Sequence, residues 1–147
     1  MFRPLLAAAA LSILATGVNA QALAVVPDTA PAIHADTLLR STQDVTGQLL
    51  SYPDGTPEIT VERIVVDPGA ETGWHMHTVP LFARIESGTL TVDYGSRGLR
   101  TYNAGDVMLE AENWPHNGHN AGTEPVVLLA IFIGAVDAVL SEPATQQ

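Results

Sequence analysis

Two stretches decide the reading of this chain: Gly69-Ala70-Glu71-Thr72-Gly73-Trp74-His75-Met76-His77 and Gly105-Asp106-Val107-Met108-Leu109-Glu110-Ala111-Glu112-Asn113-Trp114-Pro115-His116-Asn117-Gly118-His119-Asn120. They hold four of the five histidines. Alternate side chains of a strand share a face, so His75 and His77 project the same way and can converge on one ion. A third imidazole then has to arrive from elsewhere. Neutral imidazoles suit zinc, copper, iron and nickel, and three of them leave positions open for water or substrate. A His-x-His pair alone is weak ground for a metal, so the residues around it carry the argument.

Working outward, the chain reads as short strands: Thr37 to Leu50, Ile59 to Val66, Trp74 to His77, Leu81 to Glu86, Thr89 to Tyr94 and Leu99 to Tyr102. Turn chemistry separates them at Tyr52-Pro53-Asp54-Gly55, Asp67-Pro68-Gly69, Ser87-Gly88, Gly95-Ser96-Arg97-Gly98, Asn103-Ala104-Gly105-Asp106 and Ala121-Gly122-Thr123-Glu124-Pro125. Turns at such intervals favour an all-β sandwich or barrel. Val126 to Ile133 is continuously apolar, and its length and the following Gly134 favour a strand buried on both faces over a helix.

The two stretches resemble the paired motifs of the cupin superfamily, G-x5-H-x-H-x(3,4)-E-x6-G and G-x5-P-x-G-x2-H-x3-N. The likeness is close from Gly69 to Asn120 and loose over the strand pattern from Thr37 to Ile133. It implies a single double-stranded β-helix, the jelly-roll or cupin barrel, spanning residues 37–140. By the same resemblance His75, His77 and His116 are metal ligands, and Gly69, Gly88, Gly105 and Asn120 are turn and framework positions. The sequence departs from the pattern in three places. The family's glutamate ligand falls at Leu81, which cannot bind a metal. Ala111 stands for the proline and Asn113 for the glycine of the second motif, both changes of turn chemistry.

Three histidines without the glutamate leave a divalent ion its full charge, which attracts anionic groups and acidifies bound water. The cofactor expected is one divalent transition metal ion: Fe, Mn, Zn, Ni or Cu. Three-histidine cupins include thiol dioxygenases and other oxygenases, so the resemblance implies an enzyme acting on a small organic molecule, oxygenase-like or lyase-like. The alternatives are a non-catalytic module binding a metal, carbohydrate or small organic acid, and a domain whose histidines are structural. Glu110 and Glu112 are candidates for a fourth ligand or an acid/base group. His119 is read as a surface residue or one at the pocket rim, and His34 as solvent-exposed. Leu81, Ala83 and Ile85 share a strand face, predicting a dry pocket wall. Trp74 and Met76 point away from the histidine pair, toward another layer or subunit.

The first residues read as an address. Met1-Phe2-Arg3 precedes an apolar run from Leu5 to Val18, and Val18-Asn19-Ala20 offers small residues for cleavage. Residues 1–20 are therefore expected to be a signal peptide. The run is too short for a bilayer core of about 30 Å, so no permanent membrane anchor is expected. A periplasmic or secreted location follows. Residues 21–36 read as an irregular arm and 141–147 as a frayed C-terminus. With no cysteine, thiolate chemistry is excluded. Six arginines, no lysine and 16 acidic residues give a net charge of −10, which argues against nucleic acid and excludes a Schiff base on lysine. The expected partners are a small-molecule ligand or substrate and a second copy, since small cupins commonly pair sheets between chains as a homodimer.

Overall fold

The computed structural model describes residues 33–147. Residues 1–32, which include the expected signal peptide and most of the expected arm, lie outside the described residues. The strands are β1 (Pro57–Val66), β2 (His75–Met76), β3 (Leu81–Ser87), β4 (Thr89–Asp93), β5 (Leu99–Asn103), β6 (Val107–Leu109), β7 (Asn117–His119), β8 (Val126–Ala135) and β9 (Glu142–Pro143). The helical segment among the described residues is one 3-10 turn, Gly95–Arg97. The fold is an all-β jelly-roll barrel.

One sheet has the order β1-β8-β3-β6 and a second the order β5-β4-β7, with β2 and β9 paired at the barrel's mouth. Every strand pairing is antiparallel. The register of β1 on β8, from Pro57 opposite Ala135 to Val66 opposite Val126, puts Thr60, Glu62, Ile64 and Val66 on one face and Ile59, Val61 and Val65 on the other. The core forms where the inward residues of the sheets meet: Val66, Ala83, Ile85, Val126 and Leu128 from the first against Leu90 and Val92 from the second. Ile85 is fully buried, as are Val126 and Ala130. Burial of an aliphatic side chain of this size contributes about 1.5–3 kcal/mol.

The turn from β3 to β4 requires glycine. Gly88 has φ +79°, and a Cβ there would meet Pro125 O and Val126 Cα at 3.0 Å. Asn113, standing where the resemblance expects glycine, has φ +51°. Asparagine tolerates this left-handed conformation, so the substituted loop keeps its turn.

Three expectations are corrected. Thr37 to Leu50 is not a strand; among these residues there is one bridge, Gln43 to Leu49. Asp44 is buried and takes the backbone N–H of Thr46 at 2.7 Å and of Gln48 at 3.0 Å on Oδ1, a local turn that competes with strand pairing. Its Oδ2 accepts from the Glu112 N–H at 3.1 Å, which docks the turn on the second motif. β8 is buried on one face and half-buried on the other, where Val127, Leu129, Ile131 and Ile133 alternate with the buried residues. The C-terminal residues do not fray: Pro143 and Glu142 pair with His75 and Met76, and the Ala144 N–H donates to Trp74 O at 3.0 Å.

Candidate metal centre

Backbone pairing brings the histidines together. His75 and His116 exchange two N–H···O bonds, at 3.0 and 2.9 Å, so they are directly opposed and their side chains leave on one face. His77 follows two residues after His75 and is buried, with its carbonyl taking the Asn113 N–H at 2.7 Å. The ring centroids are 4.5 Å apart for His75–His116 and 5.0 Å for each of the other two pairs. One nitrogen from each ring lies within 4.8 Å of the others.

The hydrogen bonds fix which nitrogen that is. His75 Nδ1 is 2.7 Å from Gly73 O, His116 Nδ1 is 2.8 Å from Trp114 O, and His77 Nδ1 is 3.3 Å from Leu140 O. A carbonyl oxygen only accepts, so each Nδ1 carries the proton and each Nε2 presents its lone pair. Burial, followed by the fields of His116 and His75, pushes His77 down to about 3. Burial is also the largest cause lowering His75, opposed by the bond to Gly73 O and reinforced by His116. Imidazoles that are neutral at pH 7 bind a cation without first losing a proton. The donor set fits a divalent transition metal ion, with backbone carbonyls orienting the ligands from behind.

The rings of His75 and His77 stand between two spaces, and His116 lines the inner one. Inside is a cavity of about 60 Å³, lined by the histidines, Glu110, and the apolar wall of Leu81, Ala83, Leu90, Val92, Met108 and Leu128. Outside is an open groove of about 650 Å³ lined by His75, His77, Trp74, Phe132, Pro143 and the carboxylates Glu62, Asp67, Glu71 and Glu142. The dry wall expected from Leu81 and Ala83 is present, and Leu81 is 4% exposed. Among the described residues no arginine lines the groove.

The remaining candidates separate cleanly. Glu110 reaches the inner cavity and is 6% exposed. Glu112 pairs by backbone with His77 but lines neither space; burial, the largest cause, raises its carboxyl above the usual range. His119 follows Gly118 on β7, and since Gly118 faces the cavity, alternation turns His119 away. His34 is exposed. Trp74 lines the groove instead of packing on another layer. Trp114 packs against the core, and its indole N–H donates to Tyr94 O at 3.0 Å. Asn120, 1% exposed, donates to Val66 O and Glu124 O at 2.9 and 2.8 Å and ties the second motif to the end of β1.

Sequence reasoning missed the orienting carbonyls of Gly73, Trp114 and Leu140, because a backbone oxygen leaves no mark in the residue string. It also missed Tyr94, whose hydroxyl donates to Glu110 Oε1 at 2.7 Å. A period-2 reading of β4 could have placed Tyr94 inward beside Val92.

The cupin domain family model matches residues 62–132, which contain all three histidines. The chain carries a cupin domain. A cupin-like protein from Thermotoga maritima is similar to it at 25% identity, with a TM-score of 0.53, over 60% of this chain and 65% of that one. A DMSP lyase structure is 21% identical, with a TM-score of 0.52, over 59% of this chain and 44% of that one. A Bacillus subtilis oxalate decarboxylase is 31% identical over 58% of this chain and 23% of that one, with a TM-score of 0.48. The matched cupin region spans less than two thirds of each of these structures. Comparison with curated protein sequences gives no match.

Proposed function

We propose that this cupin is an exported metalloenzyme in which His75, His77 and His116 hold one divalent transition metal ion, and that it acts on a small organic molecule in oxygenase-like or lyase-like chemistry. The observation that carries the reading is the convergence of three Nε2 lone pairs, each oriented by a backbone carbonyl behind its ring. The ion would supply Lewis acidity and open coordination positions. The chain's own residues do the rest. Leu81, Ala83, Leu90 and Val92 keep the inner side apolar. Trp74 and Phe132 give the groove aromatic surface.

Charge narrows the substrate. Among the described residues four carboxylates and no arginine line the groove, so a small dianion meets repulsion before it reaches the histidines. The attraction for anions expected of a fully charged ion is opposed at the mouth. A neutral or cationic molecule is the substrate class this favours, aided by the face of Trp74. The test is displacement of the visible spectrum of the Co(II)-loaded protein by small ligands. Neutral or amine-bearing ligands should perturb it at lower concentration than oxalate, and a preference for the dianion would contradict the substrate class.

The second reading, binding without turnover, is favoured by the size of the inner cavity, since about 60 Å³ admits only a few atoms beside the ion. Turnover that needs the native metal and disappears in His75→Ala would exclude it.

Residues 1–20 support export to the periplasm or the medium. No helix of the described residues is long and apolar enough to cross a membrane. The outer face of the larger sheet, with exposed Ile59, Val61 and Val65 beside half-buried Val127, Leu129 and Ile131, supports a homodimer formed on that face.

A further inference from the structure

Glu110 has a chemistry that the fold does not need. It follows β6 and continues the inward alternation of Met108, so its side chain enters the cavity whose wall is otherwise apolar on that side. Both hydrogen bonds to its carboxyl from the described residues fall on one oxygen: Tyr94 Oη donates to Oε1 at 2.7 Å and the Ala111 N–H donates to it at 2.8 Å. Oε2 accepts none of them. Yet no buried side-chain polar atom among the described residues is left orphaned, so Oε2 keeps open surface toward the cavity.

Among the described residues no cationic side chain forms an ion pair with Glu110; Arg100 reaches only Tyr102 and the face of Tyr94. The ion pair among the described residues is Arg63–Glu86, on the outer face of the sheet. A buried carboxylate facing an apolar wall with no cation beside it is costly. Across about 60 Å³ stand the three imidazoles, with one nitrogen of each within 4.8 Å of the others. That space is large enough to hold water. Tyr94, itself bonded to the Tyr102 hydroxyl at 3.2 Å, clamps Oε1 and so aims Oε2 inward.

We propose that Glu110 is the anionic partner of the cation held by His75, His77 and His116, acting across the cavity through a water or ligand atom on that ion. The carboxylate missing at Leu81 is thereby supplied from the second motif, on the neighbouring strand, where the Glu110 N–H donates to Leu81 O at 2.8 Å. Glu110 is a positioning residue in this arrangement, with its oxygen hydrogen-bonded to what the ion binds. The inference rests on the metal reading of the three histidines.

The test is calorimetric titration of Co(II) into the metal-free full chain, comparing wild type with Glu110→Gln, Glu110→Gln/Leu81→Glu and His75→Ala. Glutamine keeps the shape, and its amide oxygen can accept both bonds that Oε1 accepts. Loss of an orienting partner costs about 10- to 100-fold in metal affinity. Glu110→Gln is therefore expected to bind Co(II) about 10- to 100-fold more weakly, with an altered visible spectrum and a metal-free melting temperature like that of wild type. The double variant, with its charge restored at the neighbouring cross-strand position, should recover part of the affinity. If Glu110→Gln binds Co(II) as tightly as wild type while His75→Ala does not bind, the role of Glu110 is overturned and the three-histidine site stands. If affinity falls only together with metal-free stability, with an unchanged spectrum and no recovery, Glu110 is merely structural and the proposal is overturned. If wild type and His75→Ala bind alike, the metal reading itself fails, and the role of Glu110 with it.

Discussion

His77 Nδ1 lies 3.3 Å from the carbonyl oxygen of Leu140, a contact that joins the first motif to the C-terminal segment across 63 residues. It makes the tail part of the metal centre. Pro143 and Glu142, just beyond, pair with His75 and Met76 and close one side of the groove. Deleting residues 141–147 removes this strand and loosens the rings of His75 and His77. Metal affinity is expected to fall about 10-fold or more, as for other losses of ligand orientation, while the barrel stays folded. Titration of Co(II) into the truncated and full-length proteins, with far-UV circular dichroism as the control, checks this.

Acid should destabilise the metal-free protein through the same rings. His77 is held near 3 in the folded state against an ordinary value of 6.5, and His75 is lowered as well. Below about 6.5 the unfolded chain therefore binds protons that the folded chain excludes. Stability is complete above that pH and declines as pH falls from about 6.5 toward 3, by up to about 1.4 kcal/mol per pH unit for each such histidine. Urea unfolding across this range measures the slope, and His77→Gln should flatten it.

Asn113 offers a test of the second motif's turn. Its φ of +51° suits asparagine or glycine and opposes a β-branched residue. Asn113→Gly should leave stability nearly unchanged, whereas Asn113→Val should cost about 1–2 kcal/mol. It should also weaken metal binding, because the Asn113 N–H holds the carbonyl of His77. Chemical denaturation and metal titration of the two variants separate these effects.

If a second copy covers the outer face of the larger sheet, a charge at its centre will disrupt the pair. Val61 is 57% exposed and lies opposite Ile131. Val61→Glu should convert a dimer to a monomer in sedimentation velocity with little change in the unfolding of each chain. A wild-type monomer at micromolar concentration would contradict the dimer.

Much of this was legible in the residue string, for identifiable reasons. The alternation in Leu81 to Glu86 and Thr89 to Tyr94 is a strand signal that burial enforces, and the glycine turns between strands need no tertiary information. Strand alternation alone brought His75 and His77 together, while His116 was reached through the resemblance to the cupin motifs; its backbone pairing with His75 is visible only in the structure. What failed was long-range. Thr37 to Leu50 has strand-like composition, but Asp44 captures its own backbone and the docking partner, Glu112, is 68 residues away. The tail looked frayed because nothing in Glu142-Pro143 announces a partner at His75. The acidic lining of the groove was hidden for the same reason, being gathered from β1, the loop before β2 and the tail.

The central claim is one divalent ion on three histidines, and the most direct measurement is the number of ions bound per chain. Metal-free protein titrated with Co(II) should take up one ion, and His75→Ala, His77→Ala and His116→Ala should each lose that binding while remaining folded. Binding of no ion by the wild type, or a stoichiometry unchanged in all three variants, would contradict it.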